Sequence, residues 1–245
     1  MQNFLIAIQF LTRIPVPYQR NWNDKNIAAS LLWYPLVGAL IGGLLVLLAY
    51  LFSNAENQML SAAIILCVWV VITGGLHLDG LADSADAWVG SHGNKQRALA
   101  IMKDPQAGPI AVIVLVLVLL IKFSALQSLL KQTDYFSILI VLVMGRCVPI
   151  FLFLTTPYVR EKGLGSAMEK YLQRHYAWTI LLMTGVAILF SIGLINGIIL
   201  MTIVFLVLWG LRYLMLKHID GMTGDTIGAS IEIVEAVILC VVVLL

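Results

Sequence analysis

Three aspartates at helical spacing carry the clearest chemical signal in this 245-residue sequence: Asp79, Asp83 and Asp86. Offsets of four and seven residues place all three carboxylates on one face if residues 79–88 form a helix. Carboxylates so placed repel one another, and the cost rises near a membrane. Because carboxylate oxygens suit Mg²⁺, which proteins hold with few carboxylates plus water and substrate phosphate, the pattern predicts a magnesium site. The alternative is a solvated helix face whose acids lie near the helix N-terminus.

A histidine stands two residues before the first of these aspartates. His77 is a candidate general base, because the anion of Asp79 raises the basicity of an imidazole beside it. As a single histidine it is equally compatible with an ordinary loop residue.

A second chemical segment, residues 102–109, comes just before an apolar run. Lys103 and Asp104 are suited to contact a phosphate and a metal ion, while the prolines and glycine that follow favour a stiff turn and a helix start. The alternative is an ordinary helix entry with a lysine that reaches towards the membrane surface.

A third segment, rich in glycine and acids, leads into the last apolar run. Gly221 and Gly224 allow a phosphate to approach the backbone closely. Asp225 and Glu232 are seven residues apart and therefore share a helical face. Glu235 lies inside the apolar run, where an acidic residue indicates function. The alternative is that both glutamates bond to neighbouring side chains inside a helix bundle.

Arg146 is a cation within another apolar run. It either pairs with one of these acids or reaches a substrate phosphate. If the three chemical segments meet on one side of a membrane, their acids suit a metal–diphosphate site.

Composition indicates that these segments connect membrane helices. Apolar residues make up 61% of the chain and charged residues 11%, against about 45–50% and 25% in an ordinary soluble domain. We therefore predict an all-α, polytopic membrane helix bundle that forms a single domain, residues 1–245. A spanning helix needs about 20 apolar residues, and about seven segments come close: 31–52, 59–76, 109–130, 135–154, 177–195, 197–216 and 229–245. Residues 1–11 are too short to span and are expected to lie at the interface or pack on the bundle.

The basic residues predict the orientation of the bundle. Loops 13–26, 77–108, 155–176 and 217–228 contain nearly all of them, whereas the alternate loops contain only Lys131. By the positive-inside rule the basic loops are cytoplasmic, and the candidate site is with them. The residues counted are Arg13, Arg20, Lys25, Lys95, Arg97, Lys103, Arg160, Lys162, Lys170, Arg174 and Lys217. A net charge of +2 with no basic block gives no support for nucleic-acid binding.

At these same segments the sequence resembles the cobalamin synthase family. Residues 74–88 are similar to its hallmark Gly-Gly-Leu-His-x-Asp-Gly-Leu-Ala-Asp-x-Ala-Asp, and residues 101–109 to its Met-Lys-Asp-x-x-x-Gly segment. Residues 221–235 resemble its Gly-x-x-Gly-Asp-x-x-Gly-Ala-x-x-Glu ending. Residues 10–17 resemble its N-terminal Phe-x-Thr-Arg-x-Pro-x-Pro, which contains Arg13.

The resemblance implies a transferase that joins adenosylcobinamide-GDP to α-ribazole or its 5′-phosphate and releases GMP. It also implies Mg²⁺ and a place in the bacterial inner membrane. The lipid bilayer, a homo-oligomer and other enzymes of cobalamin synthesis are the further partners considered. The expected catalytic residues are His77, Asp79, Asp83 and Lys103. The expected substrate-binding residues are Arg13, Lys103, Arg146, Gly221 and Gly224. The expected metal ligands are Asp79, Asp83, Asp86, Asp104, Asp225 and Glu232.

Two other classes of protein share some of these features. A CDP-alcohol phosphotransferase also places spaced aspartates at a membrane surface, but its motif requires Asp-Gly-x-x-Ala-Arg. Here Leu81-Ala82-Asp83 follows Asp79-Gly80, and no arginine takes that place. A transporter is the non-enzyme alternative. It favours charges near the bilayer midplane and often internal repeats, whereas these charges cluster at helix ends and no repeat is visible.

Overall fold

Helices make up nearly all of the secondary structure in residues 2–17, 22–161 and 163–245, which this computed structural model describes. Arg20 and Lys162, counted in the orientation argument, lie outside these residues. A 3₁₀ turn, Leu31–Trp33, joins the second helix to the third. The helices are α1 Gln2–Leu11, α2 Asp24–Ser30, α3 Tyr34–Leu51, α4 Gln58–Thr73, α5 Leu76–Gly90, α6 Lys95–Ile101, α7 Pro109–Gln132, α8 Phe136–Thr155, α9 Leu164–Tyr171, α10 Arg174–Ile192, α11 Leu194–Ile219 and α12 Gly224–Leu244.

Among the described residues, six helical segments are long and apolar enough to cross a membrane. They are the continuous run Asp24–Leu51 and helices α7, α8, α10, α11 and α12. Helices α4 and α5 make a seventh if the bent pair counts as one span. Helix α4 has no charged residue and α5 has three aspartates, so we take α4 as the membrane-crossing arm. The prediction of an all-α membrane bundle with about seven spans is therefore confirmed. Only Gly193 separates α10 from α11.

Two glycines break the chain between α4 and α5. Gly74 and Gly75 have φ values of 64° and 68°, in the left-handed region that other residues enter only at a cost. They turn α5 by 87° away from α4. The helix expected over residues 79–88 is present as α5, and the bend carries its aspartates away from the line of the membrane-crossing arm.

The basic loops come together at one end of the bundle. Helices α7, α8, α10 and α11 separate α5 from the turn before α12, and an even number of crossings returns the chain to the same side. Contacts between the loops agree with this, because Lys95 forms an ion pair with Asp220 and the backbone N–H of Val159 donates to Met222 O at 3.0 Å. The prediction that loops 77–108 and 217–228 share a side is thus supported, and the compartment they face stays a prediction.

Helices α8 and α12 form the interior of the bundle. In an apolar stretch of 18 residues taken from each helix, 72% of the stretch is buried in α8 and 61% in α12, against 17% in α10. Helix α1 packs on the bundle through Ile6, Ala7 and Leu11, which are buried. The third chemical segment, at the start of α12, is therefore attached to one of the two most buried helices of the bundle.

Candidate active site

Helices α5 and α12 touch through glycines, and this contact builds the site. A Cβ atom on Gly80 would lie 2.7 Å from the backbone oxygen of Asp225, and one on Gly228 would lie 3.3 Å from the His77 Cα. Only residues without a side chain permit so close an approach of two helices. The contact places the start of the third chemical segment against the aspartate helix, as the sequence predicted.

Three carboxylates gather at this contact. Burial, followed by the charges of Asp79 and Asp225, raises the pKa of Asp83 from its usual range to about 6. Asp83 belongs to α5, beyond the bend and off the membrane-crossing arm. Among the charges, Arg160 lowers this pKa, whereas Asp79, Asp225 and Asp86 raise it, so negative charge predominates around Asp83. Helices α5 and α12 therefore share one acidic site.

Arg160 is the cation nearest to this cluster. Its Nη2 lies 2.6 Å from an Asp225 carboxylate oxygen, and both side chains are partly exposed. The residue comes from the segment between α8 and α9, and sequence analysis counted it only as a basic loop residue. No spacing pattern linked it to Asp225. An arginine beside acids at an open site can also bind a substrate phosphate.

Asp86 points to the start of α7. One of its oxygens accepts from the Gly108 N–H at 2.5 Å and the other accepts from the Ala111 N–H at 2.9 Å. These are N–H groups of the first helical turn, which have no partner inside the helix. Asp86 thus fixes α7 against α5, and its predicted role as a metal ligand stays a prediction.

Lys103 and Asp104 lie on the exposed loop between α6 and α7. An Asp104 oxygen accepts from the Gln106 N–H at 3.0 Å, which closes a local turn. Among the described residues neither side chain forms a hydrogen bond or ion pair with the three clustered carboxylates. The segment nevertheless reaches the aspartate helix, because the Gly108 N–H donates to Asp86.

Glu232 belongs to a different cluster, deep in the bundle. Lys122 of α7 lies 2.6 Å from Glu232 and 2.5 Å from Glu235, and Arg146 of α8 also pairs with Glu235. The Lys122 ammonium stands 4.4 Å from the ring centre of Trp69 on α4. All four charged side chains are nearly inaccessible to solvent.

Two cations and two anions balance in this buried cluster and tie α7, α8 and α12 together. Arg146 thus forms the ion pair that the sequence left as one of two possibilities. Sequence analysis missed Lys122, although a single lysine inside an apolar run was a usable signal. The roles of Glu232 as a metal ligand and of Arg146 as a substrate contact stay predictions.

A cavity of about 310 Å³ opens beside the acidic cluster. His77, Asp79, Arg160, Gly224 and Asp225 line it, together with apolar side chains from α1, α8, α9 and α12. His77 is buried, and its Nδ1 has no hydrogen-bond partner in the described part of the chain. Burial, with the positive charges of Arg146 and Lys122, lowers the pKa of His77 well below its usual range, so the raised basicity expected from Asp79 is not found. The role of His77 as a base stays a prediction.

Two further predicted residues, Gly221 and Arg13, pack against neighbouring segments of the chain. Gly221 lies against the Pro157 backbone, where an added Cβ would come within 2.3 Å of the Pro157 oxygen. Arg13 packs its side chain on Gly74 at the break between α4 and α5. Gly221 therefore has a packing role. The predicted substrate contacts of Gly221 and Arg13 stay predictions.

The acidic cluster has the chemistry of a Mg²⁺ site but not a closed coordination shell. Within residues 2–17, 22–161 and 163–245, no group of three or more His, Cys, Asp or Glu side chains is already arranged to hold a metal ion. Mg²⁺ usually takes only one or two carboxylates and completes its shell with water and substrate phosphate. Asp79, Asp83 and Asp225, whose mutual repulsion a divalent cation would relieve, fit that requirement.

Comparison with known proteins relates the whole chain to one family. The family model described as cobalamin-5-phosphate synthase matches residues 3–243. A protein of Acinetobacter baumannii named adenosylcobinamide-GDP ribazoletransferase is 45% identical over 98% of this chain and 96% of its own. A protein of the same name from Pseudomonas syringae pv. syringae is 45% identical over 100% of both chains. Another, from Pseudomonas putida, is 46% identical over 96% of this chain and 95% of its own. No solved structure matches.

Proposed function

The chain belongs to the cobalamin-5-phosphate synthase family, and from that premise we propose that it joins adenosylcobinamide-GDP to α-ribazole or its 5′-phosphate and releases GMP. The relatives named adenosylcobinamide-GDP ribazoletransferase support this reaction. The structural observation that carries it is the meeting of α5 and α12, which places Asp79 and Asp225 in the lining of one cavity, with Asp83 electrostatically coupled to both. A diphosphate linkage is a substrate such a site can hold.

The reaction is a displacement at phosphorus. The 3′-hydroxyl of the ribazole attacks the phosphorus that carries the cobinamide linker, a new P–O bond forms, and the bond to the GMP oxygen breaks. His77 takes the hydroxyl proton, and Arg160 holds a phosphate oxygen of the diphosphate. Mg²⁺, when bound, supplies positive charge that stabilises the diphosphate and the leaving phosphate.

The proposed metal ligands are fewer than the sequence suggested. Asp79, Asp83 and Asp225 remain, because the structure brings them together without a full complement of cations. Asp86 caps α7 and Glu232 pairs with Lys122, so both carboxylates already have partners of their own. Asp104 lies on the exposed loop and is also left out.

The proposed location is the bacterial inner membrane, with the cavity open to the cytoplasm. The basic loops gathered at that end of the bundle support the orientation. A homo-oligomer and contacts with other enzymes of cobalamin synthesis stay predictions.

The test uses the purified protein in detergent with adenosylcobinamide-GDP and α-ribazole, and measures GMP release. We expect turnover that EDTA abolishes and Mg²⁺ restores. Asp83→Asn should lower turnover by about a hundredfold, the usual order for losing one interaction that stabilises the transition state. Asp134→Asn, at the other end of the bundle, is the matched control. Product from CDP-diacylglycerol and an alcohol, with none from the corrinoid, would instead support the CDP-alcohol phosphotransferase alternative.

A further inference from the structure

The cavity beside the acidic cluster has a polar mouth and an apolar interior. Among the lining residues, Asp79, Arg160 and Asp225 reach solvent and therefore mark the mouth. The buried part of the wall is aliphatic and aromatic: Leu11, Phe153, Met168, Ile227 and Ile231. Its volume of about 310 Å³ suits one flat ring system better than a macrocycle.

Two buried polar atoms in the cavity wall lack a hydrogen-bond partner among the residues that the structure describes. Tyr34 is 2% exposed and His77 4% exposed, and both residues line the cavity. Neither the Tyr34 hydroxyl nor the His77 Nδ1 forms a hydrogen bond within the described residues. Leaving a buried polar group unpaired costs about 1–3 kcal/mol, so such groups call for a ligand or another explanation. His77 already has a role in proton transfer, whereas Tyr34 has none.

We propose that this cavity is the subsite for the aromatic base of the nucleoside substrate, with the Tyr34 hydroxyl donating a hydrogen bond to the free ring nitrogen of that base. This assignment rests on the proposed function. The dimethylbenzimidazole of α-ribazole is flat, has an apolar methylated edge and carries one nitrogen lone pair. One buried hydroxyl in an apolar cavity matches that pattern. With the base inside, the ribose hydroxyls lie at the mouth, next to His77 and the acids.

The other substrate matches this cavity poorly. Guanine presents several donors and acceptors around its edge, and an apolar wall would leave most of them unpaired. The corrin ring is a macrocycle much larger than a benzimidazole, and a volume of about 310 Å³ is small for it. The corrinoid nucleotide therefore approaches from outside, with only its diphosphate at Arg160 and the acidic cluster.

The first test is Tyr34→Phe, which removes one hydroxyl and keeps the ring. Because that hydroxyl has no hydrogen-bond partner in the described part of the chain, the variant should fold at least as well as the wild type. We expect Kd for α-ribazole, from calorimetric titration without the corrinoid, to rise about three- to tenfold, the worth of one neutral hydrogen bond. The KM for adenosylcobinamide-GDP should stay unchanged. Tyr50→Phe, on an exposed tyrosine of α3, is the matched control.

A second test fills the cavity instead. Ile231→Phe should weaken α-ribazole binding strongly, whereas Ile231→Val should have a small effect. Guanosine, as a probe, should bind the wild type no better than it binds Ile231→Phe. The proposal is overturned if Tyr34→Phe and Ile231→Phe leave α-ribazole binding unchanged, or if they raise the KM of the corrinoid nucleotide alone.

Failure of the proposed function has a different signature. The wild type would then release no GMP from the two substrates. Turnover by the wild type together with unaltered α-ribazole binding in both variants would reject the subsite and leave the function standing.

Discussion

Replacing Gly80 by alanine should separate the two helices that build the site. A Cβ there would lie 2.7 Å from the Asp225 oxygen, while ordinary contact begins near 3.4 Å, so the backbones must move apart by about 0.7 Å. Overpacking of this kind costs about 1–3 kcal/mol, and the better helix propensity of alanine offsets up to about 1 kcal/mol of it. The folded state should therefore survive.

The activity should suffer more than the stability. A displacement of 1 Å in a catalytic constellation can cost about a hundredfold in rate, so a shift of about 0.7 Å between Asp79 and Asp225 should lower turnover by about ten- to hundredfold. The apparent affinity for Mg²⁺ should fall as well, because the carboxylates from α5 and α12 no longer meet at the same spacing.

The assay is GMP release from adenosylcobinamide-GDP and α-ribazole over a range of Mg²⁺ concentrations, with thermal unfolding in detergent measured alongside. Gly210→Ala is the control, since a Cβ at that position of α11 meets no atom within 4 Å. A folded Gly80→Ala protein with wild-type turnover and wild-type Mg²⁺ dependence would refute the idea that the contact between α5 and α12 sets the site.

Two further predictions concern the bundle and its orientation. Lys122→Met should lower the free energy of unfolding by about 3–5 kcal/mol, because it leaves two buried glutamates short of a cation. Thermal unfolding measures the effect, with Lys131→Met, at an exposed lysine, as the control. Equal unfolding midpoints for the two variants would contradict the prediction. In a background without native cysteines, single cysteines at Gln106 and Asp220 should resist an impermeant thiol reagent in sealed cells, and one at Glu56 should react. The reverse pattern would show that the cavity opens away from the cytoplasm.

The spacing of acids predicted their helical face correctly but not their partners. Asp225 and Glu232 share a face of α12, yet seven residues of helix extend about 10 Å along the axis. That distance puts Asp225 at the bundle end beside Arg160 and Glu232 inside the bundle beside Lys122. A shared face is a local property, whereas a shared site depends on what packs against each turn.

Asp86 illustrates the same limit on α5. Its offset from Asp79 and Asp83 puts it on their face, and that prediction follows from the helical repeat alone. Both of its oxygens nevertheless accept N–H groups from the start of α7, more than twenty residues away. Nothing in the spacing of the three aspartates indicates that one of them caps another helix.

The sequence by itself determined the membrane helices, the aspartate helix and the family, because hydropathy, helical periodicity and motif order are written along the chain. Only the tertiary structure decided which acids meet, that Lys122 neutralises the buried glutamates, and that Arg160 and Tyr34 join the cavity. These residues come from helices and loops far apart in the sequence. Their proximity results from glycine contacts and helix packing, which no local pattern encodes.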